Sequence, residues 1–359
     1  MSDPRSAVLG VEHSLTDKRW EASPADDRLA LALRQRHNLS DIVARILVAR
    51  GVDIDLAASF LDPSLKTLLP DPSLLKGMDE AVERIARAII DGETIGVFGD
   101  YDVDGATSAA LLERFIHSVG GKVDIYVPDR LREGYGPNLA ALLQMKDKGA
   151  GVIITVDCGI TAFDPLAGAA EAGVDVVVVD HHAAEPQLPA AIAVINPNRL
   201  DDESGQGQLA AVGVVFLLVV ALNRCLRGRN HYAEKAEPNL LQWLDLVALG
   251  TVCDVVPLTG LNRALVSQGL KVMARRDNVG LRALSDVASI AEAPTTYHAG
   301  FILGPRVNAG GRVGEASLGA RLLTTHDADE ARDLAIRLDD WNKERRELEA
   351  ACLEEAILQ

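Results

Sequence analysis

From residue 94 onward the chain carries short, nearly continuous apolar runs at 94–98, 123–127, 152–156 and 174–179, each closed by a polar or acidic residue. Ala- and Leu-rich segments with helical spacing separate them, at about 106–119, 139–148 and 165–172. Runs of valine and isoleucine without polar alternation predict strands covered on both faces. Their alternation with helices predicts an α/β domain built on a mainly parallel, doubly wound sheet. Upstream, Ala81, Val82, Ile85, Ala86 and Ile89 share the inner face of a helix expected over 78–90. A weaker helical pattern at 41–61 (Ile42, Ile46, Leu47, Leu56, Phe60) is interrupted at Gly51, and Pro63, Pro70 and Pro72 mark a connecting stretch. Residues 1–35 are polar and are expected to form an irregular arm. After Pro197 the pattern becomes helical at 209–226, 240–249 and 263–275. From 327 to the end it is rich in Ala, Leu, Glu and Arg without Gly or Pro, which predicts a long connecting helix. The expected organisation is therefore an arm (1–35), the α/β domain with an N-terminal helical extension (36–260), a helical region (261–326) and the connecting helix (327–359).

Composition narrows the class. Hydrophobic residues at 48% and charged residues at 25% are ordinary for a globular protein. A formal charge of −16, from 36 basic and 52 acidic side chains, argues against a protein that coats nucleic acid through counterion release. A nucleic-acid enzyme stays compatible with it, because metal ions or a local basic groove can supply a positive field. Cys158, Cys225, Cys253 and Cys352 have no paired spacing, so neither a disulfide framework nor a zinc site is expected. The longest nearly apolar run, 209–222, falls short of the roughly 20 residues that cross a bilayer and is expected to be a buried helix. A cytoplasmic protein without a membrane partner is expected.

The candidate chemistry sits at the ends of the predicted strands. Asp100, Asp102 and Asp104 lie within Gly99-Asp100-Tyr101-Asp102-Val103-Asp104-Gly105. Three carboxylates that close repel one another unless cations lie between them. An EF-hand is excluded, because its twelfth position, a glutamate, is Leu111 and a strand precedes the loop. Asp157 follows the third run, and Asp180-His181-His182 follows the fourth. Imidazole combined with carboxylate suits manganese, zinc or iron. Asp254, in an apolar context, needs pairing, hydrogen bonding or a metal to stay ionised. Gly304-Pro305-Arg306-Val307-Asn308-Ala309-Gly310-Gly311-Arg312 is expected to be a glycine-rich loop whose guanidinium groups approach phosphate. It is not a P-loop, since no Gly-Lys-Ser/Thr occurs.

Taken together these segments resemble the DHH phosphoesterase superfamily, and within it the RecJ-type branch. The resemblance is carried by GDYDVDGATSAALL (99–112), VPDRLREGYGPN (127–138), ITVDCGI (154–160), VVDHH (178–182), INPN (195–198), GTVCDVVPL (250–258) and GPRVNAGGR (304–312), and it spans residues 40 to 359. It implies a metal-dependent 5′-to-3′ exonuclease that releases 5′-mononucleotides from single-stranded DNA in repair and recombination. It also implies two divalent cations, Mn²⁺ or Mg²⁺. Asp104, Asp157, His181 and Asp254 would hold one, and Asp100, Asp102 and a bridging Asp157 the other. Many superfamily members have a histidine where Phe98 stands. Catalysis would rest on Asp102, Asp104, Asp157, His181, His182 and Asp254. His182 would contact the scissile phosphate, and Arg130, Arg306, Asn308 and Arg312 the nucleic-acid backbone. Single-stranded DNA is the implied partner, with single-stranded-DNA-binding protein as a second. The family's further (DHHA1-type) domain is expected to be absent, which leaves the activity of the chain alone open. Two alternatives remain, a DHH phosphodiesterase acting on short oligonucleotides or cyclic dinucleotides, and an inactive scaffold of the same fold.

Overall fold

The computed structural model describes residues 7–21 and 26–358, and the chain divides into two compact units, Met1–Ser64 and Leu65–Gln359. In the first, helices α1 (Asp27–His37), α2 (Asp41–Ala49) and α3 (Ala57–Leu61) close around Ala30, Leu33, Ala44, Leu47, Val52 and Ala57. The Asp26 carboxylate accepts from the amides of Arg28 and Leu29 and so starts α1. The irregular arm expected to reach residue 35 therefore gives way to a helix from Asp27. A short helix among many charges was hidden in the polar composition. Residues 1–6 and 22–25 of that expected arm lie outside the described residues.

The second unit opens with helices α4 (Leu65–Leu68) and α5 (Met78–Asp91). The alternation then runs β1 (Thr94–Gly99), α6 (Val103–Ser118), β2 (Lys122–Tyr126), α7 (Arg130–Glu133), α8 (Leu139–Asp147), β3 (Ala150–Val156), α9 (Phe163–Glu171), β4 (Asp175–Val179) and β5 (Ala193–Ile195). All strands are parallel, in the order β2-β1-β3-β4-β5. Alternate residues face opposite layers, as a strand's two-residue period requires. Ile154, Val156, Val177 and Val179 join the core that includes α5 and α6. Ile153, Val176 and Val178 join the other, which includes Leu142 and Met145 of α8 and Leu166 of α9. Doubly covered strands account for the unbroken valine runs. The three-residue β5 was too short to read from the sequence. At the opposite end of the strands, buried Arg84 of α5 donates to Asp175, Glu93 and the Gly151 carbonyl, tying the helix to the sheet.

Helices complete the unit: α10 (Ala211–Gly228), α11 (Leu244–Cys253), α12 (Gly260–Met273), α13 (Val279–Val287), a π-helical turn (His298–Leu303), α14 (Gly304–Val313), α15 (Ser317–Thr324) and α16 (Ala328–Leu358). Helix α10 is long and apolar enough to span a bilayer, yet its residues from Ala211 through Val219 are buried in the core. The expected loop at 304–312 is instead helix α14. Its glycines serve close packing rather than turn formation. A Cβ on Gly310 would lie 2.8 Å from the Glu315 carbonyl oxygen, and one on Gly311 would lie 2.9 Å from that of Tyr101.

Candidate metal centre

The order β2-β1-β3 places β1 where the direction of winding reverses, and in such sheets ligands bind beyond the carboxyl ends of the strands at that point. Three aspartates occupy those ends, and their amides extend the ladder by one step. The Asp100 amide donates to the Val156 carbonyl at 3.3 Å, that of Asp157 to Val179 at 3.0 Å, and that of Asp180 to Ile195 at 3.0 Å. The backbone of the centre is thus a continuation of the sheet.

Each side chain is then aimed by a local device. Asp102 caps α6, accepting from the Gly105 amide at 3.1 Å. Asp104, in the first turn of α6, accepts from the Ala211 and Val212 amides at the start of α10, at 2.6 and 2.9 Å. Asp157 has φ +61°, a left-handed conformation that aspartate tolerates better than most residues. Asp254 follows the last turn of α11 as its C-cap.

The histidines are fixed by Asp180, which accepts from the amides of Ile160, His181 and His182 and from His182 Nδ1 at 2.7 Å. The Asn196 amide group donates to the His182 carbonyl at 2.9 Å, and Asn198 likewise holds the His181 carbonyl. Tyr135 meets the His182 ring edge-to-face, with centroids 6.4 Å apart.

Three groups of ligand atoms converge: Asp100, Asp102 and Asp157; Asp104, His181 and Asp254; and Asp157, His181 and His182, with the atoms of each group within 4.8 Å of one another. His181 Nε2 is 3.3 Å from Asp157 Oδ1 and 3.9 Å from Asp104 Oδ2, and its Nδ1 is 3.7 Å from Asp254 Oδ2. Asp100 Oδ1, His181 Nε2 and Asp254 Oδ2 are buried without a hydrogen-bond partner. Buried polar atoms are rarely left so, and they fall in two different groups, Asp100 in one and His181 with Asp254 in another, so a cation in each would satisfy all three.

Electrostatics agree. Burial, then the Asp102 charge, pushes the Asp100 carboxyl up to about 7, and the same two causes push Asp254 up to about 6. Burial and neighbouring carboxylates also raise Asp104 and Asp157. Burial lowers His181, whereas the bond to Asp180 raises His182. For Asp180 burial acts upward, but the bonds from His182 and the backbone outweigh it and its pKa falls. Protein groups alone leave this much negative charge poorly compensated. A divalent ion would reverse the balance, and the mixed oxygen and nitrogen donors suit Mn²⁺.

The phosphate-binding candidates separate. The Arg130 guanidinium stacks over the Tyr101 ring, 4.9 Å from its centroid, and Arg312 lies on α14, whose Gly311 abuts Tyr101. Asn308 Oδ1 is buried and unpartnered. Arg306 is engaged within the protein through two of its nitrogens. Its Nε donates to Asp339 of α16 at 2.8 Å and its Nη1 to the Ile302 carbonyl at 2.7 Å. The residues that sequence reasoning passed over are Asn196, Asn198 and Tyr135, and Asp180 was read only as a member of its triplet, without its role of fixing the histidines. All stand inside motifs that carry the resemblance, but nothing in their spacing tells which carbonyl or ring they fix. The Ala211 and Val212 amides leave no sequence signal.

Comparison with known proteins matches residues 94–251 to the DHH family, N-terminal domain. The chain is 44% identical over 325 residues to the single-stranded-DNA-specific exonuclease RecJ of Dickeya dadantii, covering 89% of this chain and 56% of that protein. It is 38% identical over 341 residues to that of Bacillus subtilis, covering 94% of this chain and 42% of that one. The chain thus spans about half the length of these curated relatives. Among solved structures, RecJ of Thermus thermophilus in complex with Mn²⁺ superposes with a TM-score of 0.79 at 33% identity, covering 94% of this chain and 47% of that one. An exonuclease RecJ bound to manganese gives a TM-score of 0.71 at 37% identity, covering 80% of this chain and 70% of that one.

Proposed function

We propose a function from one premise: the chain belongs to the RecJ family of DHH proteins. It hydrolyses phosphodiester bonds of single-stranded DNA from a 5′ end, releasing 5′-mononucleotides, with two divalent cations, Mn²⁺ or Mg²⁺. What supports this reading is that Asp157 and His181 each belong to two of the three convergent ligand groups, so neighbouring cations would share ligands. Asp104, His181, Asp254 and Asp157 would hold one ion, and Asp100, Asp102 and Asp157 the other. Bound there, the ions would supply an activated water and neutralise charge on the phosphate and the leaving oxygen.

The chain's own groups position the substrate. Asp180 accepts the Nδ1 proton of His182 and raises its pKa, which favours the charged imidazole beside a phosphate oxygen. Asn196 and Asn198 keep the two histidine carbonyls, and with them the rings, in place. Arg130 stacks on Tyr101 in the Asp100–Asp104 loop and Arg312 acts on the same tyrosine, and with Asn308 they hold the strand's phosphates. The same reading makes single-stranded-DNA-binding protein a partner and the cytoplasm the place of action.

The test is hydrolysis of 5′-labelled single-stranded DNA in Mn²⁺, Mg²⁺ or EDTA, with a dinucleotide in parallel. Metal-dependent release of mononucleotides from the DNA is expected. Cleavage of the dinucleotide alone would favour a short-oligonucleotide phosphodiesterase, and cleavage of neither, with Mn²⁺ bound, an inactive scaffold. Asp157→Ala is expected to abolish hydrolysis while keeping the fold.

A further inference from the structure

We propose that Tyr297 and Phe301 form a stacking platform for the bases of the single strand held at the metal centre, an inference that rests on the nuclease reading above. Aromatic residues make up only 4% of the chain. Among the described residues from 65 onward, those left exposed are Tyr135, Tyr297 and Phe301. Tyr135 already faces His182. The other two stand one helical turn apart at 60% and 74% exposure, with ring centroids 5.4 Å apart and planes inclined by 24°. Two large apolar rings held nearly parallel in solvent are unfavourable unless something covers them.

Their segment is joined to the centre. Phe301 lies in the π-helical turn His298–Leu303 and Tyr297 is its N-cap, in an element frequent at functional sites. The Thr295 amide donates to His298 Nδ1 at 3.0 Å, and His298 Nε2 lies 3.2 Å from Glu292. The inner face of the turn presses on the end of α11. Cys253 Sγ donates to the Ala299 carbonyl at 3.5 Å, and a Cβ on Gly304 would lie 2.4 Å from that sulfur. The next residue is the ligand Asp254. After it comes Val255, 86% exposed at φ +62°, a strained conformation for a β-branched side chain. The two rings thus stand on the element that packs against the ligand-bearing turn, and that turn itself exposes Val255.

Unpaired bases fit this surface better than a protein partner does. Two rings and one valine are too small for a protein interface, but they match the face of a base, and every base has a π-face to offer. The chain carries −16 overall, so a phosphate backbone is repelled over much of its surface. Stacking adds affinity without depending on that field.

The experiment is the binding of a fluorescent oligothymidylate, and of an abasic strand of equal length and charge, to the full chain in Ca²⁺. The wild-type protein is expected to prefer the oligothymidylate by roughly ten-fold or more. The Tyr297→Ala/Phe301→Ala variant should bind both strands alike, at the abasic level, and Phe301→Trp should keep the preference. Phe301→Leu keeps an apolar side chain without a π-face. It should lose most of the preference, and it decides the matter if the double variant does not fold. A double variant that discriminates like wild type overturns the platform, as does a wild type that binds both strands equally. A wild type that binds neither strand overturns the nuclease reading and the platform with it.

Discussion

The carboxylate of Asp104 accepts the amide of Ala211, 107 residues further along the chain, at 2.6 Å. One turn of α6 is thereby welded to the start of α10, and the positive end of that long helix faces a carboxylate that burial makes costly to ionise. The fold and the metal centre share this contact.

Removing the acceptor should therefore cost stability apart from any metal. In EDTA, Asp104→Ala leaves the Ala211 and Val212 amides buried without partners. Asp104→Asn keeps a carbonyl oxygen for them. The alanine variant should be less stable than the asparagine variant by about 1–3 kcal/mol, read from urea midpoints, and both should gain less stability from Mn²⁺ than the wild type.

The raised carboxyls predict how stability depends on pH. Asp100 at about 7, Asp254 at about 6, and the raised Asp104 and Asp157 keep protons in the folded chain that the unfolded chain releases near pH 4. Unfolding then releases protons, and the metal-free protein loses stability as pH rises from about 4 through 7. The raised His182 acts in the same direction near neutrality. Melting temperatures in EDTA should fall between pH 5 and 7.5, and Mn²⁺ should flatten or reverse that trend. A rise in EDTA would contradict the account.

Gly250 is a further point of contact. A Cβ there would lie 2.3 Å from Thr107 Oγ1, 2.8 Å from Val212 Cγ1 and 3.1 Å from Asp104 Oδ1. Gly250→Ala should destabilise the fold by about 1–3 kcal/mol and weaken Mn²⁺ binding, with partial recovery when Thr107→Ala removes the nearest atom. Paired denaturation and Mn²⁺ titration measure both effects.

The two arginines of α14 should behave oppositely. Arg306→Ala breaks a largely buried pair with Asp339 and should cost roughly 1–3 kcal/mol of stability, largely shared with Asp339→Ala in a double-mutant cycle. Arg312→Ala should leave stability within about 0.5 kcal/mol and weaken single-stranded DNA binding. Equal effects on DNA binding with no loss of stability from Arg306→Ala would return Arg306 to the phosphates.

The sheet was legible because its strands are buried on both faces. Nothing in a doubly covered strand such as 176–179 interrupts the valines, so each run announces itself and the acidic residue that ends it. Asp100, Asp157 and Asp180 were found for that reason, and their coming together follows from parallel strands with adjacent ends. Other features were not legible. The glycines of 304–312 read as a loop because a sequence cannot show whether a missing side chain frees the backbone or admits a neighbour, here Tyr101 and Glu315. Nothing in the sequence shows that Arg306 meets Asp339, 33 residues away on α16. The Ala211 amide that holds Asp104 carries no side-chain signature. What the sequence alone determined was the local period, the strand ends and the candidate ligands, since these depend on side-chain chemistry and neighbours in the chain. What only the tertiary structure decided was which polar groups are already satisfied and which remain open to a cation or a strand, because burial and hydrogen bonding are settled between segments far apart in sequence.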